Sequence, residues 1–509
     1  MATRIRLWPV YVLLVVGAIA QIYIWTANLG HRQWAVMLSI AAVAVGLILL
    51  LIWALAFSQL PGRLKLKAAS VCLVSIVLIG STVHIHGVTG DLVPILSWRW
   101  SEPEYGTLTS ALPVSRAQTS DYAQFLGPTR NAVLNDVRLA DWSEHPPKEV
   151  WRITVGPAWS AFSVAGHLAI TQEQRGDDEC VVAYDLLTGK EQWIHRNEAR
   201  YQTSIGGIGP RATPTIDHNQ VYSIGATGWL NCLDLATGRE LWSRNIVDEH
   251  NTRLPDWGLS GSPLILNGNV VVSPGGKDDR SLVAYTAEDG KLVWGGGTRR
   301  AGYSSPALHR VAGRDQILIF NRGAVAGHDP TTGEIYWEES WPMPGGNQCV
   351  AQPLPLNENQ VFVSTGYGVG CKLFDIREKG GEMEVSVVYK TPRLKLKFTQ
   401  AVLHEGYLYG LDDGVLVCLD PATGQRKWKR GRYGHGQILL AGDKLIVQTE
   451  DGPVKLINPN PEGLVELATL DALDGKTWNN PVLAGSLLIV RNDSEAVCYR
   501  VRLETEDQT

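Results

Sequence analysis

Few side chains in this 509-residue sequence stand where chemistry is usually done. His84 and His86 are its closest histidine pair. If they close a helix, positions i and i+2 face different ways, so an interfacial structural role is expected rather than a shared metal or haem. Of the seven cysteines, Cys72 lies in an apolar run, and Cys232, Cys418 and Cys498 occupy matching positions that elsewhere hold Ala or Gly, which suits core packing. Cys349 and Cys371 are close enough to pair, which the sequence leaves open. Asp412-Asp413-Gly414, Glu450-Asp451-Gly452 and Glu288-Asp289-Gly290 read as short hairpin turns, not calcium loops. The basic run Lys390–Lys397 reads as a solvated edge, with a patch for an anionic ligand as the alternative. No P-loop, HExxH or GxSxG motif occurs. What remains is a spaced set of binding-type residues: Trp159, Arg211, Ser260, Tyr303, Gln348, Gln400, His435, Trp478 and Asn479. Aromatic faces, a guanidinium, an imidazole, amides and hydroxyls suit a polar or anionic ligand and lack the paired carboxylates of acid–base catalysis.

The elements that space these residues repeat. The unit is a short alternating strand ending in Asp, then Gly four residues on and Trp eight residues on. It occurs as Asp185/Gly189/Trp193, Asp234/Gly238/Trp242, Asp329/Gly333/Trp337 and Asp420/Gly424/Trp428, with Gly290/Trp294 following Thr286. Asp accepts backbone N–H bonds in a tight turn, Gly supplies positive φ, and Trp covers the gap to a neighbour. Degenerate anchors at Asp375, Asn458 and Arg500 bring the total to eight, about 45 residues apart, the period of four-stranded propeller blades. The last unit stops after three strands. Residues 148–155 (KEVWRITV) resemble an outer strand with no unit before them, so they are expected to close the eighth blade. The spaced binding residues then fall at the eight starts of the innermost strands, around one mouth of the channel. None of these openings contains a carboxylate, although Asp256 lies beside Trp257, and Glu249 and Asp278 sit in loops the sequence does not place.

The Asp-x-x-Thr-Gly-x-x-x-Trp copies resemble the PQQ-type propeller repeat over residues 148–503, and Asp121–Pro128 is similar to the lead-in that often precedes such propellers. Tyr122 and Leu126 depart from that lead-in. The resemblance implies an all-β, eight-bladed propeller shared by quinoprotein dehydrogenases and BamB-like assembly lipoproteins. It leaves activity unspecified.

Residues 1–90 carry six basic side chains and no acid, whereas 91–509 carry 40 basic and 51 acidic ones. Apolar runs at 7–25, 34–58 and 68–88 match the roughly 30 Å of a bilayer core. Arg4, Arg6, Arg63, Lys65 and Lys67 put the N-terminus and second loop in the cytoplasm and everything after 88 outside it; cleavage of the first run as a signal peptide would not change that. The expected organisation is a three-helix anchor (1–90), a linker and lead-in (91–147), a propeller (148–503) and a tail (504–509).

These readings point to a module in the cytoplasmic membrane, facing the periplasm. It would bind a protein or polymer without catalysis or a cofactor, and the acidic balance gives no basis for nucleic-acid binding. The alternative is a PQQ-dependent alcohol or sugar dehydrogenase passing electrons to the membrane. That enzyme needs oxygen ligands to hold Ca²⁺ on the cofactor, to which Asn479 and Asn480 offer amide oxygens, and a carboxylate base, which the openings lack. No metal site is expected otherwise.

Overall fold

In the computed structural model, residues 7–27, 32–100, 105, 108–111, 120–343 and 349–504 are described. Arg4 and Arg6, part of the linker (112–119) and the tail from 505 lie outside the described residues. The chain divides into two compact units. Residues 1–102 with 204–207 form one, and 103–203 with 208–509 form the other.

The first unit holds three helices, α1 (Trp8–Thr26), α2 (Arg32–Ile52, continued by a π-helical turn Trp53–Phe57) and α3 (Gly62–Thr82). All three are long and apolar enough to cross a membrane. Leu14, Val15, Ile19, Leu47, Val74 and Ile76 are exposed, so the helices are apolar all round rather than on one core-facing stripe. Polar side chains join α1 to α2, where Gln21 Nε2 donates to the Ser39 carbonyl at 3.2 Å and Trp25 Nε1 donates to Ser39 Oγ at 3.3 Å. The third helix departs from expectation. It begins at Gly62 and ends at Thr82, and Val83–Val88 is a strand paired with Pro94–Trp98. β-branched Val83, Ile85 and Val88, interrupted by Gly87, favour the extended form. His84 and His86 are therefore strand residues, and His84 lies 3.2 Å from the Ser97 hydroxyl.

In the second unit eight antiparallel sheets follow one another as the blades of an eight-bladed propeller. Blade 2 is typical, with strands Thr215–Asp217, Gln220–Ile224, Trp229–Asp234 and Glu240–Asn245 from the channel outward. Blades 1 and 3–7 start their inner strands at Ser163, Leu264, Ala307, Leu354, Ala401 and Gln437. In blade 8 the last strand of the chain, Glu495–Arg500, pairs with Lys148–Thr154, and Cys498 stands opposite Trp151. The two ends of the domain are thus sewn into one sheet. Leu108–Ala111 adds a fifth strand outside Lys148–Thr154.

The repeat residues act in their turns and between blades. Asp185 Oδ1 accepts the Thr188 amide at 2.8 Å and its hydroxyl at 2.7 Å, and Asp234 and Asp420 hold Thr237 and Thr423 through the same two groups. Asp329 accepts the Thr332 amide at 2.9 Å. The turn glycines Gly189, Gly238, Gly290, Gly333 and Gly424 all have φ between +66° and +77°. Each also lies on a ring of the preceding blade: Gly189 on Trp151, Gly238 on Trp193, Gly290 on Trp242, Gly333 on Trp294 and Gly424 on Tyr389. A Cβ on Gly189 would stand 2.9 Å from Trp151, and one on Gly290 or Gly424 2.8 Å from its ring. The glycine serves both the turn and the close approach of two blades. Tyr389 takes the Trp place of blade 5, opposite Leu373 two residues before the degenerate anchor Asp375.

The tryptophans are less uniform than their spacing suggests. Trp151 Nε1 donates to the Leu186 carbonyl in the next blade's turn, Trp193 to Leu235, Trp242 to Ala287 and Trp428 to Asn460, all at 2.8–3.0 Å. Trp294 packs on Gly333 of the next blade, but its buried indole N–H has no partner. Trp337 differs from these. Its Nε1 donates within its own blade, to Gln316 Oε1 at 2.7 Å. In blade 5 the third strand runs on through Asp375 to Lys379, so the tight turn that receives the other rings is missing there.

From residue 120 the lead-in crosses the channel at one end. Tyr122 bridges to Val164, the Ile216 amide donates to the Ala123 carbonyl, and Arg130 donates to the carbonyls of Ser262 and Pro263 at 2.9 and 3.0 Å. Val133–Leu134 then pairs in parallel with the inner strand of blade 7, and Leu139 bridges to Leu503.

Candidate functional site

In a four-stranded antiparallel blade, the start of the inner strand, the turn between the second and third strands, and the exit from the outer strand share one end. These segments build the channel mouth. The Asp–Gly turns between the third and fourth strands lie at the opposite end, so Gly238, Gly333 and Gly424 hold the ring together and line no mouth. At the mouth, aromatic and cationic side chains from several blades touch in sequence. The Trp159 and Trp478 rings lie 4.9 Å apart, Trp478 and Phe398 4.7 Å, and Phe398 and His435 5.6 Å. Lys397 Nζ sits 3.1 Å from His435 Nε2 and 5.6 Å from the Tyr367 ring centre. Tyr367 stacks with Trp257 at 6.5 Å, which stacks with Tyr303 at 5.3 Å. The Arg211 guanidinium lies 4.5 Å over Tyr201, whose hydroxyl donates to the Asp256 carbonyl at 2.9 Å.

Lys476 stands out. It is only 7% exposed, its ammonium lies 4.5 and 4.6 Å from the Trp159 and Trp478 ring centres, and Nζ has no hydrogen-bond partner. Cation–π attraction offsets part of the desolvation cost, yet burial still pulls its pKa below that of an ordinary lysine. Burial likewise lowers Arg211 to about 10.

The sequence-derived candidates divide into two groups. Trp159, Arg211, Tyr303, His435 and Trp478 belong to the mouth. Ser260, Gln400 and Asn479 bond to neighbouring backbone: Ser260 Oγ donates to the Tyr303 carbonyl at 3.0 Å, and the other two belong to a belt of bonds joining the blades. In that belt the Ala161 amide donates to Thr213 Oγ1, Thr213 to Ser262 Oγ, Ser262 to Ser305 Oγ, Ser305 to Gln352 Oε1 and Gln352 to Gln400 Oε1, at 2.8–3.2 Å. Gln437 Nε2 continues it to the carbonyls of Phe398 and Trp478, and Asn479 Nδ2 closes it on Ala158 and Ser160. These residues satisfy buried amides and carbonyls where the inner strands converge. Gln348 lies outside the described residues.

The openings contain no acid, but the turns behind them bring one in. Glu450 accepts the Trp478 indole N–H and the His435 amide, each at 2.9 Å. Glu179, 3% exposed, accepts the Ala226 amide at 2.8 Å, and its charge favours the Arg211 cation. Asp256 is exposed and offers only its carbonyl to Tyr201. Of the basic run, Lys395 pairs with Asp412 and Asp413, at 2.8 and 3.2 Å, while Lys397 enters the mouth, so the run forms no single patch. Tyr367, Glu450 and Lys476 escape a reading of inner-strand starts alone. Turns at the same end are the signal that could have found them.

No disulfide joins Cys349 to Cys371: Cys349 Sγ donates to Met343 Sδ at 3.6 Å and Cys371 Sγ to the Thr391 carbonyl at 3.5 Å. Among the described residues no group of three or more His, Cys, Asp or Glu is placed to hold a metal ion. The Asn479 and Asn480 amide oxygens are buried without partners, but no acidic cluster accompanies them among the described residues to supply the carboxylates that usually hold calcium. The cations would suit an anionic quinone, whereas the described residues do not fit the calcium that accompanies it.

The sequence model of the family described as "Outer membrane protein assembly factor BamB" matches residues 132–257 and 177–430. The chain belongs to this PQQ-like propeller family. Among curated relatives it is 24% identical over 337 residues to the Outer membrane protein assembly factor BamB of Escherichia coli (strain K12), covering 60% of this chain and 78% of that protein. It is 23% identical over 253 residues to the Quinohemoprotein alcohol dehydrogenase of Comamonas testosteroni, covering 49% of this chain and 30% of that enzyme. Solved structures share the fold. BamB from Moraxella catarrhalis aligns with TM-score 0.50 at 16% identity, over 70% of this chain and 97% of that one. The Comamonas testosteroni dehydrogenase aligns with TM-score 0.51 at 13% identity, over 75% and 81%.

Proposed function

We propose that this member of the BamB-like family is a propeller tethered in the cytoplasmic membrane, on its extracytoplasmic side, and serves as a non-catalytic scaffold for a protein partner. The observation that carries this reading is the state of the buried carboxylates at the mouth. Glu450 is engaged by the Trp478 indole and the His435 amide, Glu179 by the Ala226 amide, and no group of three or more His, Cys, Asp or Glu placed to hold a metal accompanies them among the described residues. Coverage supports the same side, since the match spans 78% of the assembly factor and 30% of the dehydrogenase. The three apolar helices and the basic residues around them support the tether and its orientation. The aromatic and cationic mouth would meet a polar or acidic segment of the partner.

The test mixes the purified full chain with PQQ and Ca²⁺, then measures cofactor binding and alcohol- or sugar-dependent dye reduction. The scaffold reading expects no binding at micromolar PQQ and no turnover. Stoichiometric binding with turnover would replace it by the dehydrogenase reading.

A further inference from the structure

A second site lies on the same end of the propeller, outside the channel. The exit from blade 2 (residues 249–253), the turn inside blade 3 (275–280) and the exit from blade 3 (298–300) enclose a cavity of about 640 Å³. Arg253, Lys277, Arg280 and Arg300 converge on it. Among the described residues, none of the four has a carboxylate within ion-pair distance. Of the acids lining it, Glu249 pairs with Arg244 at 3.2 Å, and Asp278 stands exposed at the rim. Four cations and two carboxylates line the cavity, in a domain that is acidic as a whole.

The backbone holds these charges together. The Gly276 amide donates to the Arg299 carbonyl at 2.9 Å, and Gly275, at φ +72°, lies so close to Arg300 and Ala301 that no Cβ fits. Asp278 and Asp279 both adopt positive φ, near +57°, to finish the turn. The Thr252 hydroxyl is buried in the wall without a partner. Four unpaired like charges around one concavity repel each other and focus potential into it, a cost an anion relieves. Three are guanidinium forks, which match phosphate and carboxylate in bidentate geometry. The charges close on a pocket of small-molecule size rather than spreading along a face.

We propose that this cavity binds a small polyvalent oxyanion, a molecule carrying two or more phosphate or carboxylate groups. The site is independent of the mouth and of the scaffold reading. The test is isothermal titration calorimetry on the detergent-purified full chain, with inorganic pyrophosphate and citrate as probes. Saturable 1:1 binding of at least one is expected, weakened about tenfold or more by Arg253→Gln and by Arg300→Gln, as loss of a charged hydrogen-bonding partner implies. Arg310→Gln, at an exposed guanidinium paired with Asp315, should leave the affinity unchanged. Binding of pyrophosphate alone assigns the site to phosphates and of citrate alone to carboxylates. No saturable heat from either probe, or binding that Arg253→Gln and Arg300→Gln both leave intact in chains with unchanged melting, would overturn the proposal.

Discussion

Replacing Gly290 by alanine tests whether the repeat glycine is there for its turn or for its neighbour. Its φ is +67°, and a Cβ would meet Trp242 Cδ2 and Cε3 at 2.8 Å each. The control is Gly166→Ala, where φ is +57° and nothing lies within 4 Å. Both substitutions carry the left-handed cost of about 1 kcal/mol. Gly290→Ala adds overpacking against a ring held by its indole N–H on the Ala287 carbonyl, about 1–3 kcal/mol more. For a propeller of roughly 350 residues, 1 kcal/mol corresponds to about 1–2 °C in Tm. Gly290→Ala should therefore melt about 3–6 °C below the parent and Gly166→Ala about 1–2 °C below, by circular dichroism on the full chain. Adding Trp242→Leu should return much of the overpacking, giving a double mutant more stable than the two single losses sum to. If Gly290→Ala and Gly166→Ala lose the same amount, or if the double mutant is simply additive, the ring contact is not why the repeat needs glycine.

Ser262→Ala removes the oxygen that accepts the buried Thr213 amide, so a loss of about 1–3 kcal/mol is expected, with faster hydrogen exchange at Thr213. Arg130→Met leaves the Ser262 and Pro263 carbonyls without their guanidinium donor, and limited proteolysis should cut the lead-in earlier than in the parent, with the blades intact. Burial, reinforced by Arg130, lowers His309 to about 4. The unfolded chain takes up that proton near pH 6.5 and the folded one only near 4, so this contribution to stability, present above 6.5, drains away as pH falls between them. His309→Gln should flatten that part of the pH profile of Tm, and an unchanged slope would refute the assignment.

The repeat was legible because it is local. Asp185 to Gly189 to Trp193 is one turn and one strand, and the turn's hydrogen bonds run between residues a few places apart. The closing strand was legible for the same reason, since KEVWRIT shares the basic-Glu-x-Trp pattern of KEQWIHR and RELWSRN. Where each Trp sends its N–H was not legible. Trp337 has the same spacing as Trp242, yet its partner depends on whether the following blade folds its turn tightly. The end of the third helix is not legible because its apolar run continues into Val83–Val88, where Val83, Ile85 and Val88 alternate with His84 and His86 as a strand.

At the mouth, the sequence determined which residues begin the inner strands, and with them the Trp, Arg, Tyr and His that line it. It could not sort them. Ser262 and Gln400 look as ligand-like as Tyr303 until ring closure sets each one's neighbour, which spends their polar atoms on the amides of adjacent blades. Glu450 reaches Trp478 from a turn 28 residues earlier in the chain, and Lys476 meets Trp159 only because the last blade closes on the first. The four cations of the blade 3 cavity are spread over residues 253–300 with acids among them. Composition there averages to nothing, and a concave cationic site exists only because three connections fold to one end of one blade.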